Sequence, residues 1–236
     1  MDDPVERMKL VLNESMDDRE FPMIGVDNMD PKLYNAARSG NVEHLTSIVD
    51  ANPGTNLNRC LTPQRNTVLH IAVKFEQQKI VQRMIQQWPS LISQPNSKGD
   101  TPLHMAARAG NHDLTKLLTP ASNLTEGNSA IEEGNPVRQA GGVALRMSNS
   151  EGSNPIHEAL KKSHKEVALH LLAFEERHGL ARDVNMAGES LLYLAAEAGL
   201  DEVVNRIIDI GDYSTRGPDG QNPLHIAVIK SRFWAG

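Results

Sequence analysis

GDTPLHMAARAG, residues 99–110, is the clearest copy of a phrase that recurs six times along the 236-residue chain. The leucine or isoleucine at its core returns after 36, 34, 53, 36 and 32 residues. Self-similarity near this period is typical of repeat proteins, in which neighbouring units complete one another's core. Such a stack presents a surface rather than enclosing a pocket, so we look for the function in binding. The six core positions are Leu33, Leu69, Leu103, Ile156, Leu192 and Leu224.

Each phrase predicts the start of a helix. Thr, Asn or Ser in the first position caps free backbone N–H groups, and a following Pro fits the first helical turn. Paired alanines such as Ala106 and Ala107 keep the helix thin enough for close packing, and a glycine such as Gly110 ends it. Apolar residues at helical spacing predict a second helix in every complete unit. In the second unit these residues are Ile80, Val81, Met84 and Ile85.

Glycine also marks the turns between units. We expect Gly99, Gly152, Gly188 and Gly220 to adopt the positive φ that such turns require. The glycine that ends the first helix is missing in units two, four and six. Its replacement by Glu76, Ser163 and Ser231 predicts weaker helix caps in those units.

The phrase and its period resemble the ankyrin pattern TPLHxA, which repeats about every 33 residues. The sequence therefore predicts an all-α ankyrin-repeat solenoid. It is expected to contain about six helix-turn-helix units with β-hairpin tips, the last of them incomplete.

Composition agrees with this prediction. Aromatic residues make up only 4% of the chain, and stacked helix pairs can form a core from Leu, Ile, Val and Ala alone.

The net charge of −6 does not suggest a nucleic-acid partner, since proteins that bind nucleic acids usually carry a basic patch. The single cysteine, Cys60, cannot form an intrachain disulfide and fits a reducing compartment. The acidic amino terminus lacks the pattern of a secretory signal, and no apolar run is long enough to span a bilayer.

The chain divides into an extension and an array. We expect residues 1–29 to be weakly ordered and residues 30–236 to form the repeats. The long interval between repeats three and four predicts a flexible surface insertion at about 119–147. This insertion is either a lid or partner-binding segment, or a tolerated loop. The sixth unit stops before a second helix, so either the chain is a fragment or something else covers its end, and self-association there is possible.

Nine histidines raise the question of a metal or catalytic site. Four of them, His70, His104, His157 and His225, share one position of the phrase, where the ankyrin pattern makes them structural hydrogen-bonding residues. The other five are expected to be exposed or partly packed on or near the second helices. These are His44, His112, His164, His170 and His178.

Sequence motifs give no support to an enzyme. The stretch HEALK, residues 157–161, lacks the second histidine of a zinc-protease helix, because Lys161 stands in its place. The chain contains neither a Walker phosphate loop nor a nucleophile elbow. We predict neither cofactor nor metal, and a catalytic site dispersed along the sequence is the one enzymatic alternative.

The candidate functional site is the concave surface of the stack. Residues beside the turn glycine, and those after the alanine pair, are needed neither for capping nor for the core. They are predicted to form a mixed-charge groove for another protein. The candidate partner-binding residues are Ser97, Lys98, Asp100, Arg108, Glu151, Ser153, Lys161, Lys162, Glu189 and Glu197.

Longer phrases resemble the plant ankyrin-repeat membrane proteins of the accelerated-cell-death type. Residues 29–40, MDPKLYNAARSG, resemble the first repeat of that family, and NTVLHIA, residues 66–72, resembles the second. GESLLYLAAE, residues 188–197, carries Tyr193 in place of the histidine, and GPDG follows at residues 217–220. The resemblance extends over about residues 29–234.

This resemblance implies a function. Members of the family carry further repeats and a membrane domain with a Pro-Gly-Gly motif, and they act in defence signalling and cell-death control. It implies that this chain is a cytosolic protein-interaction domain, in the cytoplasm or on the cytosolic face of the plasma or endoplasmic reticulum membrane. A soluble scaffold or substrate adaptor is the alternative. The chain lacks the membrane part that the family carries.

Overall fold

The computed structural model describes residues 28–52, 54–119, 135–174 and 179–234, with side chains to residue 229. Within these ranges the chain forms twelve α-helices. The first six are α1 Pro31–Ser39, α2 Val42–Asp50, α3 Val68–Lys74, α4 Gln78–Gln87, α5 Pro102–Ala109 and α6 His112–Leu118. The other six are α7 Pro136–Arg146, α8 Pro155–Lys161, α9 Lys165–Leu172, α10 Leu191–Glu197, α11 Asp201–Ile210 and α12 Pro223–Trp234.

Eleven of these helices form two stacked layers. The first helices of the units contact one another in the order α1, α3, α5, α8, α10 and α12. The second helices contact one another in the order α2, α4, α6, α9 and α11. Each helix pair therefore packs on the next, as the repeat pattern predicted. The sixth unit consists of α12 alone within the described residues.

The core residue of the phrase is buried wherever a following unit covers it. Leu69, Leu103 and Ile156 are fully buried, and the paired alanines Ala106 and Ala107 are buried beside them. Burial of one such leucine contributes about 1.5–3 kcal/mol. In the sixth unit Leu224 is 74% exposed. The difference shows that neighbouring units, rather than the leucine's own helix, cover the leucine side chain.

The histidine of the phrase joins repeat two to repeat three and repeat three to repeat four. In repeat two the His70 Nδ1 atom accepts a hydrogen bond from the Thr67 backbone N–H at 3.1 Å. The proton of the neutral ring is therefore on Nε2, which donates to the Asp100 carbonyl of the next turn at 3.0 Å. His104 repeats this arrangement with Thr101 and the Ser153 carbonyl. The predicted structural role of these histidines is confirmed.

The other histidines have varied surroundings. His157 caps α8 in the same way, whereas His225 at the end of the stack is exposed. His44 is exposed, and His112, His164 and His170 are half-buried around the second helices. His178 lies outside the described residues.

Five-residue turns link successive units, and we call them tips. In each tip the backbone N–H of the first residue donates to the carbonyl of the fifth, and the fourth residue has positive φ. The predicted φ of Gly99, Gly152, Gly188 and Gly220 is confirmed. Among the described residues the only β-pairing is an isolated bridge between Val184 and Ser190, so the tips are tight turns rather than extended hairpins. The tips comprise residues 62–66, 96–100, 149–153, 185–189 and 217–221.

Backbone hydrogen bonds also run from tip to tip. The Ser97 N–H donates to the Gln64 carbonyl, and the Ser150 N–H donates to the Lys98 carbonyl. The Met186 N–H continues this ladder to Glu151. Pro218 occupies the equivalent position of the last tip, and its missing N–H ends the pattern there.

The ends of the first helices follow the sequence in part. Gly40 and Gly110 end α1 and α5 in the left-handed conformation. Glu76 and Ser163 are forced into the same conformation, with φ of 56° and 58°. For a residue with a Cβ atom, this left-handed conformation costs about 1–2 kcal/mol. The expectation for Ser231 was wrong, because α12 continues through this residue to Trp234.

The prediction of a flexible insertion at 119–147 is wrong for its second half. Residues 136–146 form α7, which Asn135 caps and Pro136 begins. Ala144 and Leu145 are fully buried, and α7 packs on the short 3-10 helix Pro89–Ser93 of repeat two. Burial of these side chains outweighs the helix-weakening effect of the glycines in α7. Residues 120–134 lie outside the described part of the chain, as do residues 1–27 of the predicted extension.

Replacing either strained cap residue by glycine should stabilise the stack. We expect Glu76→Gly and Ser163→Gly each to raise the free energy of unfolding by about 0.5–1 kcal/mol, because glycine adopts positive φ without a steric penalty. Urea denaturation measures the change. The alanine variants are the matched controls, since they keep the Cβ atom. An alanine variant as stable as the glycine variant would contradict the strain.

Mild acid should destabilise the protein through its buried imidazoles. Burial lowers the pKa of both His70 and His157 to about 4, against 6.5 for a free histidine. Between pH 6.5 and 4, these two histidines therefore bind protons in the unfolded chain but not in the folded chain. We expect the free energy of unfolding at pH 5 to be about 2 kcal/mol lower per ring than at pH 7. Stability that does not change over this interval, or NMR signals showing either ring charged at pH 5, would disprove the prediction.

Candidate protein-binding surface

The predicted partner-binding residues lie on the tips and on the C-terminal turns of the first helices, a surface that we call the concave face. Ser97, Lys98 and Glu151 are exposed on the tips, and Lys162 is exposed just after α8. The half-buried members of the set are Arg108, Lys161, Glu189 and Glu197.

Two residues of the predicted surface are buried. Asp100 is 2% exposed and Ser153 is inaccessible, so neither can contact a partner directly. Each is the fifth residue of its tip, and its carbonyl accepts the hydrogen bond from the histidine of the preceding unit. That bond draws the residue between two units. The assignment of Asp100 and Ser153 to the exposed surface was therefore wrong.

Asp100 belongs to a network of charged groups between repeats three and four. Arg108 donates to both carboxylate oxygens of Asp100, at 2.8 and 2.7 Å, and its Nε donates to Glu158 at 2.6 Å. Asn149 donates to the same two carboxylates at 3.0 and 3.1 Å. Glu158 is as deeply buried as Asp100, while a third of the Arg108 side chain is exposed. One cation and one amide thus hold two buried carboxylates from neighbouring repeats.

The pKa values of Asp100 and Arg108 shift in the directions that this geometry predicts. Burial alone would raise the pKa of Asp100, but hydrogen bonds from Arg108 and Asn149 outweigh it and hold the pKa below its usual range. Hydrogen bonding to Asp100 raises the pKa of Arg108. Both groups are therefore charged at neutral pH, and the positive charge of Arg108 is directed into the protein.

Lys161 is occupied in a similar way. Its Nζ atom donates to Glu151 at 3.0 Å and to the Ser153 hydroxyl at 2.9 Å. The hydrogen bond from Lys161 lowers the pKa of Glu151. The Lys162 side chain, by contrast, is exposed and forms neither a hydrogen bond nor an ion pair within the described part of the chain. Of the cations in the predicted groove beside repeat four, Lys162 is the one available to a partner.

Sequence reasoning missed Glu158 and Asn149. A signal for Glu158 was present, because it occupies the variable position of the phrase where four of the other five copies carry an apolar residue. A charge at a position that is buried in its neighbours requires an internal partner. Those apolar residues are Ile71, Met105, Leu194 and Ile226.

Other kinds of site receive no support from the geometry. Among the described residues, no three His, Cys, Asp or Glu side chains converge closely enough to hold a metal ion. In the same ranges, every helix falls short of the length and apolar character that crossing a bilayer requires. Cys60 is buried, and burial raises the pKa of its thiol, which makes the thiolate scarce at neutral pH.

Loss of the shared cation should expose the cost of the buried carboxylates. We expect Arg108→Met to lower the free energy of unfolding by about 3 kcal/mol, because Asp100 and Glu158 lose their common partner. Adding Glu158→Met should restore part of this loss, since one unpaired buried charge disappears. Denaturation of the single and double variants tests the coupling.

Lys161→Met is the matched control for this experiment. Its partner Glu151 is 68% exposed, so we expect a loss below about 1 kcal/mol. Equal losses for Arg108→Met and Lys161→Met, or additive effects in the double variant, would contradict the shared network.

Comparison with known proteins agrees with the repeat architecture. The family model described as ankyrin repeats (3 copies) matches residues 33–128 and 93–183. The chain is 24% identical to Protein ACCELERATED CELL DEATH 6 of Arabidopsis thaliana, in a match that covers 81% of the chain and 28% of that protein. It is 28% identical to the human transient receptor potential cation channel subfamily A member 1, over 78% of the chain and 18% of that protein.

The chain thus spans less than a third of the length of either curated relative. The family match itself covers more than half of the chain, and the stacked helix pairs, the capped phrases and the tips are all present in the structure. The chain therefore belongs to the ankyrin-repeat family.

Proposed function

We propose that this chain is a non-enzymatic module that binds another protein on its concave face. The observation that carries the proposal is the contrast between invariant and variable positions of the repeat. The capping and core positions are buried in repeats two to five, whereas the tips present Ser97, Lys98 and Glu151 to solvent. Exposed side chains held on a rigid stack can form a specific interface without changing the fold.

The finer part of the proposal concerns the biological setting. The similarity to Protein ACCELERATED CELL DEATH 6 covers most of this chain, and the phrases of repeats one, two and five also resemble that plant family. We therefore propose a cytosolic ankyrin domain of a membrane-linked plant protein that acts in defence and cell-death signalling. Such a domain would lie in the cytoplasm or on the cytosolic face of the plasma or endoplasmic reticulum membrane.

A soluble scaffold or substrate adaptor is the second candidate function. In its favour, the proposed binding face is built entirely from the described helices and tips. Coding sequence that continues into long apolar segments would favour the membrane-linked protein. Recovery of the native protein from its source entirely in the supernatant, after membranes are sedimented, would favour the adaptor.

Site-specific crosslinking tests the binding face. A photoreactive residue at Lys98 or Lys162 should capture a protein from plant extract, and excess unlabelled chain should compete for it. The same residue at Lys79 in α4 or Lys116 in α6, both exposed on second helices, should not capture that protein. Equal capture from the second helices, or an absence of saturable capture at the concave positions, would refute the proposed face.

Charge reversal provides a quantitative check once the captured protein is purified. Lys162→Glu should weaken binding about threefold, the size expected for an exposed ion pair. Lys116→Glu makes the same change of net charge on the opposite side and should leave the affinity unchanged. An effect of Lys116→Glu as large as that of Lys162→Glu would show that only overall charge matters.

A further inference from the structure

One position of the repeat forms a row of charged side chains along the stack. It is the fifth residue after the core leucine or isoleucine, at the C-terminal turn of each first helix. The first four repeats carry a cation at this position and the fifth carries an acid. The row consists of Arg38, Lys74, Arg108, Lys161 and Glu197.

The four cations differ in whether their charge is already paired. Arg108 and Lys161 bind internal carboxylates, as described above. Within the described residues, neither Arg38 nor Lys74 forms an ion pair. Their partner is instead an aromatic ring, because the Arg38 guanidinium lies 5.2 Å and the Lys74 ammonium 5.8 Å from the centre of the Phe75 ring. Within this row, the cations without an ion pair are therefore those of repeats one and two.

The two cations stand beside a cleft between these repeats. The cleft encloses about 450 Å³ and is lined by Arg38, Ser39, His44 and Phe75, together with Asn35 and Ala36. The nearby carboxylate of Glu76 is exposed and pairs with neither cation. The wall thus combines an apolar ring, the Arg38 cation and hydrogen-bonding side chains, and Lys74 lies beside the same ring. This combination suits a carboxylate that is attached to a short apolar chain.

We propose that repeats one and two bind an acidic, extended segment of a partner protein, with its Asp or Glu carboxylates beside Arg38 and Lys74 in the cleft over Phe75. The inference rests on the proposed function, and it names the chemistry of the partner and its place on the concave face. Glu197, in the same row at repeat five, repels acidic residues. The acidic part of the segment is therefore confined to the amino-terminal end of the stack.

Pre-ordering by the ring strengthens this site. An exposed ion pair contributes only about 0.2–1 kcal/mol, partly because long side chains lose freedom when they pair. Stacking on Phe75 already restricts Arg38 and Lys74 before a partner arrives. Two such ion pairs, one at Arg38 and one at Lys74, together strengthen the binding of the segment about tenfold.

Fluorescence anisotropy with a labelled glutamate-rich peptide tests the proposal on the full chain. We expect saturable binding that weakens as salt is added, and a loss of about tenfold in affinity for the double variant Arg38→Gln/Lys74→Gln. The control Lys79→Gln/Lys116→Gln removes the same charge from the second helices and should bind like the original chain. Both variants replace exposed side chains, and circular dichroism should show the same helix content for each.

Three results would overturn the inference. They are equal affinity of the Arg38→Gln/Lys74→Gln variant and the original chain, equal binding of a peptide with Gln in place of Glu, and equally tight binding of heparin. The last result would indicate a general polyanion surface rather than a peptide site. These failures differ from failure of the proposed function, because crosslinking at Lys98 and Lys162 reports on binding anywhere along the concave face.

Discussion

Burial of the phrase leucine against the first helix of the next unit is the contact on which the whole stack depends. The leucine is fully buried in repeats two and three and 74% exposed in repeat six, although the local sequence is nearly the same. Helices of seven to nine residues, such as α1, α3 and α5, are too short to be stable alone in water. Their stability comes from neighbouring units, and the exposed side chains are free to serve another purpose.

Polar groups fix the register of these apolar contacts. A leucine surface tolerates sliding, whereas His70 and His104 each require one particular carbonyl of the next tip. The network of Asp100, Arg108 and Glu158 adds the same kind of constraint at the junction that the long interval interrupts. Lengthening the interval from 34 to 53 residues costs only about 0.4 kcal/mol in loop closure. The buried face of α7 more than offsets this cost, so the insertion does not weaken the junction.

The features that the sequence predicted correctly are those decided locally. A capping residue and a proline act within one helix, and the turn glycines act within one tip. Burial of Asp100 and Ser153 was missed because it depends on a histidine 30 or 49 residues away. The helix α7 was missed for a related reason. Its glycines and proline are typical of a loop, and only the contact with Pro89–Ser93 supplies the burial that stabilises it.

The same distinction applies to the functional surface. Sequence position alone makes Arg38, Lys74, Arg108 and Lys161 equivalent, and a search for a basic patch would give them equal weight. The structure separates them by their partners, since buried carboxylates neutralise Arg108 and an exposed one neutralises Lys161, while only an aromatic ring contacts the other two. A cation that already has an internal partner must break that contact before it can bind another, and this cost removes most of the gain. Recognition is therefore carried by the charges that the fold leaves unpaired, and in the row of first-helix cations those charges lie at the amino-terminal end of the stack.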